Sequence, residues 1–111
     1  MSKYTIRLNY RKATQQADRL DEIASRINNM ANNEFEDTLN GIAAAWKGEN
    51  SKEYLRKARN LKGSINNSAS NLKSIADEIR RKAYRVYLAE LDAMKIARER
   101  SDGNDGGGGS W

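Results

Sequence analysis

The stretch Ala43-Ala44-Ala45-Trp46-Lys47-Gly48-Glu49-Asn50-Ser51 decides the fold, because it interrupts an otherwise continuous helical pattern. The 111 residues include no proline, and four of the eight glycines stand together at Gly106 to Gly109. Little else in the chain breaks a helix. Gly48 lacks a Cβ and can end one helix with a positive φ. Asn50 can cap the next helix, with Glu53 three residues on reaching back as in a capping box. The turn is therefore placed at 46–50.

Working outward, the upstream arm carries Tyr10, Ala13, Ala17, Leu20, Ala24, Ile27 and Ala31 at alternating spacings of three and four. Ile23 and Met30 widen that stripe. The pattern then drifts to Phe35, Leu39, Ile42 and Trp46, mostly at spacing four. Such a drift turns the stripe around the helix, as a four-residue insertion does in a coiled coil. The downstream arm reads Tyr54, Ala58, Leu61, Ile65, Ser68, Leu72, Ile75, Ile79, Ala83 and Val86, a seam for packing at shallow crossing angles. The pattern predicts helix 1 over about 9–44 and helix 2 over about 50–100, one hairpin domain across 1–100. Residues 101–111, Ser-Asp-Gly-Asn-Asp-Gly-Gly-Gly-Gly-Ser-Trp, read as a disordered tail, and the Gly-Gly-Gly-Gly-Ser unit also matches a common engineered linker.

A two-helix hairpin cannot enclose a core, since each helix leaves part of its apolar stripe in water. The expected architecture is all-α: two long antiparallel helices that dimerise into an elongated four-helix bundle, or pair with a different helical chain. Leu61, Ile65, Leu72, Ile75 and Ile79 are the expected dimer seam.

The same composition argues against catalysis. Cysteine and histidine are both absent, so a nucleophile would need a lysine or carboxylate base in a dry cleft, which a thin bundle does not offer. Glu34, Glu36 and Asp37 read as a solvated face beside Phe35. Asp102-Gly103-Asn104-Asp105-Gly106 lacks the closing acidic position of a calcium loop, and the tetraglycine has no lysine to make it a phosphate loop. No catalytic residue, metal or cofactor is expected. No stretch approaches the ~20 apolar residues that span a bilayer, and the segment Met1 to Leu8 lacks the apolar block of a cleaved signal peptide.

The formal charge of +5 is uneven. Residues 1–45 hold six basic and six acidic side chains, whereas residues 46–100 hold fourteen and seven. The excess gathers on the second helix at Arg56-Lys57, Arg59, Lys62, Arg80-Arg81-Lys82 and Arg85. Such a helix suits an acidic partner, an anionic membrane or nucleic acid, or simply a solvated outer face. No compact helix-turn-helix, zinc pattern or arginine-interleaved stacking surface accompanies it, so nucleic acid is the rival rather than the leading partner.

Trp46-Lys47-Gly48, midway along a chain of about a hundred residues and between two heptad segments, resembles the turn of the Trp-x-Gly family of small type VII secretion proteins, the early secretory antigenic target type. The resemblance covers residues 3 to 100. It implies a helical hairpin that dimerises antiparallel and leaves a bacterium without a cleaved signal, being cytoplasmic before export. It further implies that Trp46 and Gly48 of one protomer act with a Tyr-x-x-x-Asp/Glu motif on the partner's second helix. Here Leu88 follows Tyr84 by four residues and Leu91 follows Tyr87 by four, while Glu90 and Asp92 fall three and five after Tyr87. Trp46, Gly48, Tyr84, Tyr87, Glu90 and Asp92 are thus the residues the resemblance singles out. Gly48 to Tyr87 is about 58 Å of helix at ~1.5 Å per residue, which returns both tyrosines level with the start of helix 1. The partners implied are a second hairpin chain, a secretion ATPase, or the helical targeting domain of a secreted toxin, which could supply the displaced half of the motif.

Overall fold

A computed structural model describes residues 2–108, with side chains described over 2–101. The chain is a helical hairpin, and no strand occurs among the described residues. Its elements are α1 (Lys3–Met30), a π-helical turn (Ala31–Phe35), α2 (Glu36–Ala45) and α3 (Glu49–Gly108).

α1 begins six residues before the predicted start near Asn9. The Ser2 hydroxyl accepts from the Thr5 amide at 3.1 Å and lies 2.9 Å from the Thr5 hydroxyl. This caps an amide that the first helical turn leaves without a partner. α1 is also not continuous with α2 as a plain α-helix. Ala17, Ala24 and Ala31 are buried at intervals of seven, but the next buried residue is Leu39, eight further on. The π turn between them holds the extra residue and returns the following apolar side chains to the seam. This is the structural form of the drift to spacing four.

The second helix departs from expectation at both ends. It starts at Glu49, so Asn50 lies inside it and the capping box of Asn50 and Glu53 does not form. The first i→i−4 bond of the helix runs from the Lys52 amide to the Gly48 carbonyl at 3.2 Å, and Glu53 pairs with Lys57 at 3.6 Å. Gly48 has the anticipated positive φ, +140°, but it opens α3 rather than closing α2. Downstream, α3 passes the boundary near Arg100 and runs to Gly108. The remaining tail, 109–111, lies outside the described residues.

Where the pattern predicts one domain, the helix contacts gather into two compact units, residues 1–17 with 77–111 and residues 18–76. The first unit joins the start of α1 to the later part of α3, with Ile6 and Ala17 buried. The second holds the turn and the antiparallel helices on either side of it, with Ala24, Ala31, Leu39, Ser51, Ala69 and Ala76 buried. The predicted seam of α3 therefore divides. Ile65, Leu72 and Ile79 are half-buried, while Leu61 and Ile75 stay exposed at 54% and 46%.

Candidate functional site

In the turn unit, the geometry starts from Ala45, where α2 ends. Trp46 leaves the helix in an extended conformation, φ −118° and ψ 106°, while its amide still bonds the Ile42 carbonyl at 2.8 Å. The buried Ser51 hydroxyl donates to the Gly48 carbonyl at 2.8 Å and pins the first turn of α3. This rigid corner aims the Trp46 ring at Tyr54, and the two stack with centroids 5.7 Å apart and planes 26° apart. Lys57 approaches the Tyr54 ring at 5.9 Å, within cation–π range. Trp46 remains 47% exposed. A shallow groove beside it is lined by Ala43, Gly48 and Leu55 among others.

The two flanks of this unit differ in chemistry. In an antiparallel helix pair, residues just before the buried position of each heptad share one flank, and residues three before it share the other. On the first flank stand Ile23 and Met30 of α1, with Tyr54, Leu61, Ser68 and Ile75 of α3 spaced by seven. Five of these six are large apolar residues, and all five are exposed. On the other flank the Arg59 guanidinium donates to Glu36 Oε1 at 2.6 Å, and Lys62 Nζ donates to Oε2 at 3.0 Å. Those hydrogen bonds, Arg59 first and Lys62 second, hold the Glu36 carboxyl below the usual carboxylate range. Glu36 is thus an ion-pair centre, not the freely solvated carboxylate expected of its cluster. The Asn66 amide adds a bond to Asn32 in the π turn at 3.2 Å.

In the other unit, Tyr84 and Tyr87 do return beside the start of α1. Tyr87 stacks on Tyr10 at 4.9 Å, and Tyr84 lies 6.1 Å from the same ring. Tyr84 stays 50% exposed. Glu90 is half-buried, its Oε2 having no donor among the described residues, and Asp92 is exposed. The sequence pattern did not single out Arg7 and Arg11, which flank this tyrosine cluster. Their signal was the absence of any acidic residue before Asp18.

Two helical arms joined by a short turn that exposes a stacked tryptophan define the class: a small helical hairpin protein with an aromatic corner. The chain belongs to the family of proteins of 100 residues with WXG, whose family model matches residues 5–90. That family is associated with type VII secretion, and its members are small helical proteins that pair with other helical hairpins. No curated protein and no solved structure matches the chain. No described helix is long and apolar enough to cross a membrane.

Proposed function

We propose that this protein is a small substrate or co-secreted partner of a bacterial type VII secretion system and works by helix–helix binding. The observation that carries this reading is the one-sided exposure of Ile23, Met30, Tyr54, Leu61 and Ile75, opposite a flank of ion pairs and amides. Contiguous apolar surface of this kind marks an interaction site, and charge depletion accompanies interface cores. Between Lys62 and Asp77 of α3, Lys73 is the only charged residue. A second helical hairpin, either another copy or the targeting domain of a toxin, covers this flank and completes a four-helix bundle. The displaced acidic position after Tyr84 and Tyr87 favours a partner that brings its own half of an export signal.

In this reading Trp46 and Gly48 present the recognition corner, and Tyr84, Tyr87, Glu90 and Asp92 complete it from a neighbouring chain. The test is Trp46→Ala, followed by melting and by secretion or partner capture on the same variant. Helical content and melting temperature should stay near those of the parent, because the ring is half exposed and touches mainly Tyr54. Export or capture should be lost. Collapse of the fold would make the ring a structural plug, and unchanged export would remove the turn from recognition.

A further inference from the structure

The basic excess is not spread evenly over the molecule. Residues 2–17 with 77–101 hold eleven basic and five acidic side chains, whereas residues 18–76 hold nine and eight. The first seventeen residues contribute Lys3, Arg7, Arg11 and Lys12 with no acid among them. Along one side of this unit runs a groove of about 250 Å³ lined by Arg7, Tyr10, Arg11, Thr14 and Tyr87. Arg7 and Arg11 are exposed and four residues apart, so both guanidiniums rise from the same face of α1. No ion pair engages either of them among the described residues. Beneath them, the stacked Tyr10 and Tyr87 rings form a stiff wall.

We propose that this groove is a docking site for an acidic helical segment of a partner protein, its carboxylates spaced one helical turn apart and each received by one arginine. Charge complementarity supplies the first reason. A guanidinium grips a carboxylate through two parallel hydrogen bonds, and two of them at helical spacing match two carboxylates at the same spacing. The tyrosines supply the second reason, because they separate an acidic peptide from a nucleic acid. Binding of single strands relies on open ring faces on which bases stack. Tyr10 and Tyr87 already cover one another at 4.9 Å, and Tyr84 sits 6.4 Å from Tyr87. The α3 part of this unit also carries Asp77, Glu78, Glu90, Asp92 and Glu99, which interrupt any continuous phosphate track. The site lies wholly within this unit and does not rest on the export reading.

The test measures fluorescence anisotropy with the full chain and three labelled probes. These are a short helical peptide with glutamates four residues apart, the same peptide with glutamines, and a single-stranded oligothymidylate. The glutamate peptide should bind and weaken as salt rises, while the glutamine peptide should not bind. Arg7→Gln with Arg11→Gln should weaken the glutamate peptide about tenfold, a loss in keeping with two exposed charge-assisted pairs. Lys3→Gln with Lys12→Gln removes the same charge from the same helix outside the groove and should change binding by no more than about twofold. Both pairs of residues are solvent-exposed, and matched melting curves verify that the variants keep the fold. Equal weakening by the two double variants would replace the groove with diffuse attraction and overturn the proposal. Tighter binding of the oligothymidylate than of the glutamate peptide, or no binding of the peptide, would overturn it as well.

Discussion

Three glycines in this chain should answer the same substitution with opposite signs. Gly41 lies in α2, Gly48 opens α3 and Gly63 sits inside α3, and a Cβ added at any of them meets no atom within 4 Å. Space therefore cannot distinguish them. Only Gly48 has a positive φ, +140°, where an L side chain is strained by roughly 1–3 kcal/mol. Alanine also restricts the unfolded chain, which offsets about 0.4–1 kcal/mol of that strain. Gly48→Ala should then destabilise by about 1–2 kcal/mol, lowering Tm by roughly 4–16 °C for a domain of this size. Gly63→Ala meets ordinary helical dihedrals and should stabilise by about 0.5–1 kcal/mol, raising Tm by roughly 2–8 °C, with Gly41→Ala in the same direction. Circular dichroism melts at a fixed protein concentration provide the readout, since association makes Tm depend on concentration. If Gly48→Ala raised Tm as Gly63→Ala does, the turn would not require its backbone geometry and the placement of Gly48 would be wrong.

Deleting Asn33 should straighten the π turn while leaving Leu39 in the seam, with a cost under about 1 kcal/mol, because the residue removed is the surplus one. Deleting exposed Ser70 has no bulge to absorb it and rotates the rest of α3 by about 100°, so its melt should fall far further. Ala69→Leu enlarges a residue that is 2% exposed in a close helix contact and should cost about 1–3 kcal/mol, seen as a lower denaturation midpoint. The Glu36 carboxyl is lowered by Arg59 and then Lys62, so its contribution is present above the ordinary carboxylate range and is lost as pH falls from that range through the lowered folded value. Glu36→Gln should accordingly lower Tm at neutral pH, with the gap to the parent closing below about pH 4. Ile75→Asp should leave each chain helical but shift light-scattering mass towards the monomer; an unchanged mass would move the partner off this flank.

Much of the hairpin was legible because its signals are local. Trp46, Lys47 and Gly48 interrupt two periodic arms, and the positive φ of Gly48 follows from its lack of a side chain. Cap chemistry was harder to place: Asn50 and Glu53 have the right spacing, yet α3 starts one residue earlier, with the Gly48 carbonyl accepting from both the Ser51 hydroxyl and the Lys52 amide. The drift after Ala31 was visible as an altered spacing, but whether a helix absorbs it by supercoiling or by a π turn depends on the neighbouring helix. The ion pair of Glu36 with Arg59 and Lys62 joins residues 23 and 26 apart in sequence, and nothing in either segment alone pairs them. Arg7 and Arg11 carried no motif; they gain meaning only when Tyr87 returns to the wall beside them.

Within the single chain the helices of the turn unit meet mainly through small residues, and the reason bears on function. Leu61 and Ile75 stay outside that contact, which is built from Ala24, Ala31, Ala69 and Ala76 with Leu39 and Ser51. Alanine lets two backbones approach closely, towards the lower end of the ~8–10 Å range of helix pairs. It also removes little apolar surface from water, whereas a buried Leu or Ile contributes about 1.5–3 kcal/mol each. A contact built largely from alanines thus leaves four large apolar side chains, Ile23, Met30, Leu61 and Ile75, beside it rather than within it. The residues with the most to gain from burial are those the single chain does not bury. Burial of that flank by another helical hairpin would draw on the same side chains for stability and for recognition, so folding strength and partner affinity should rise and fall together in variants of these four residues.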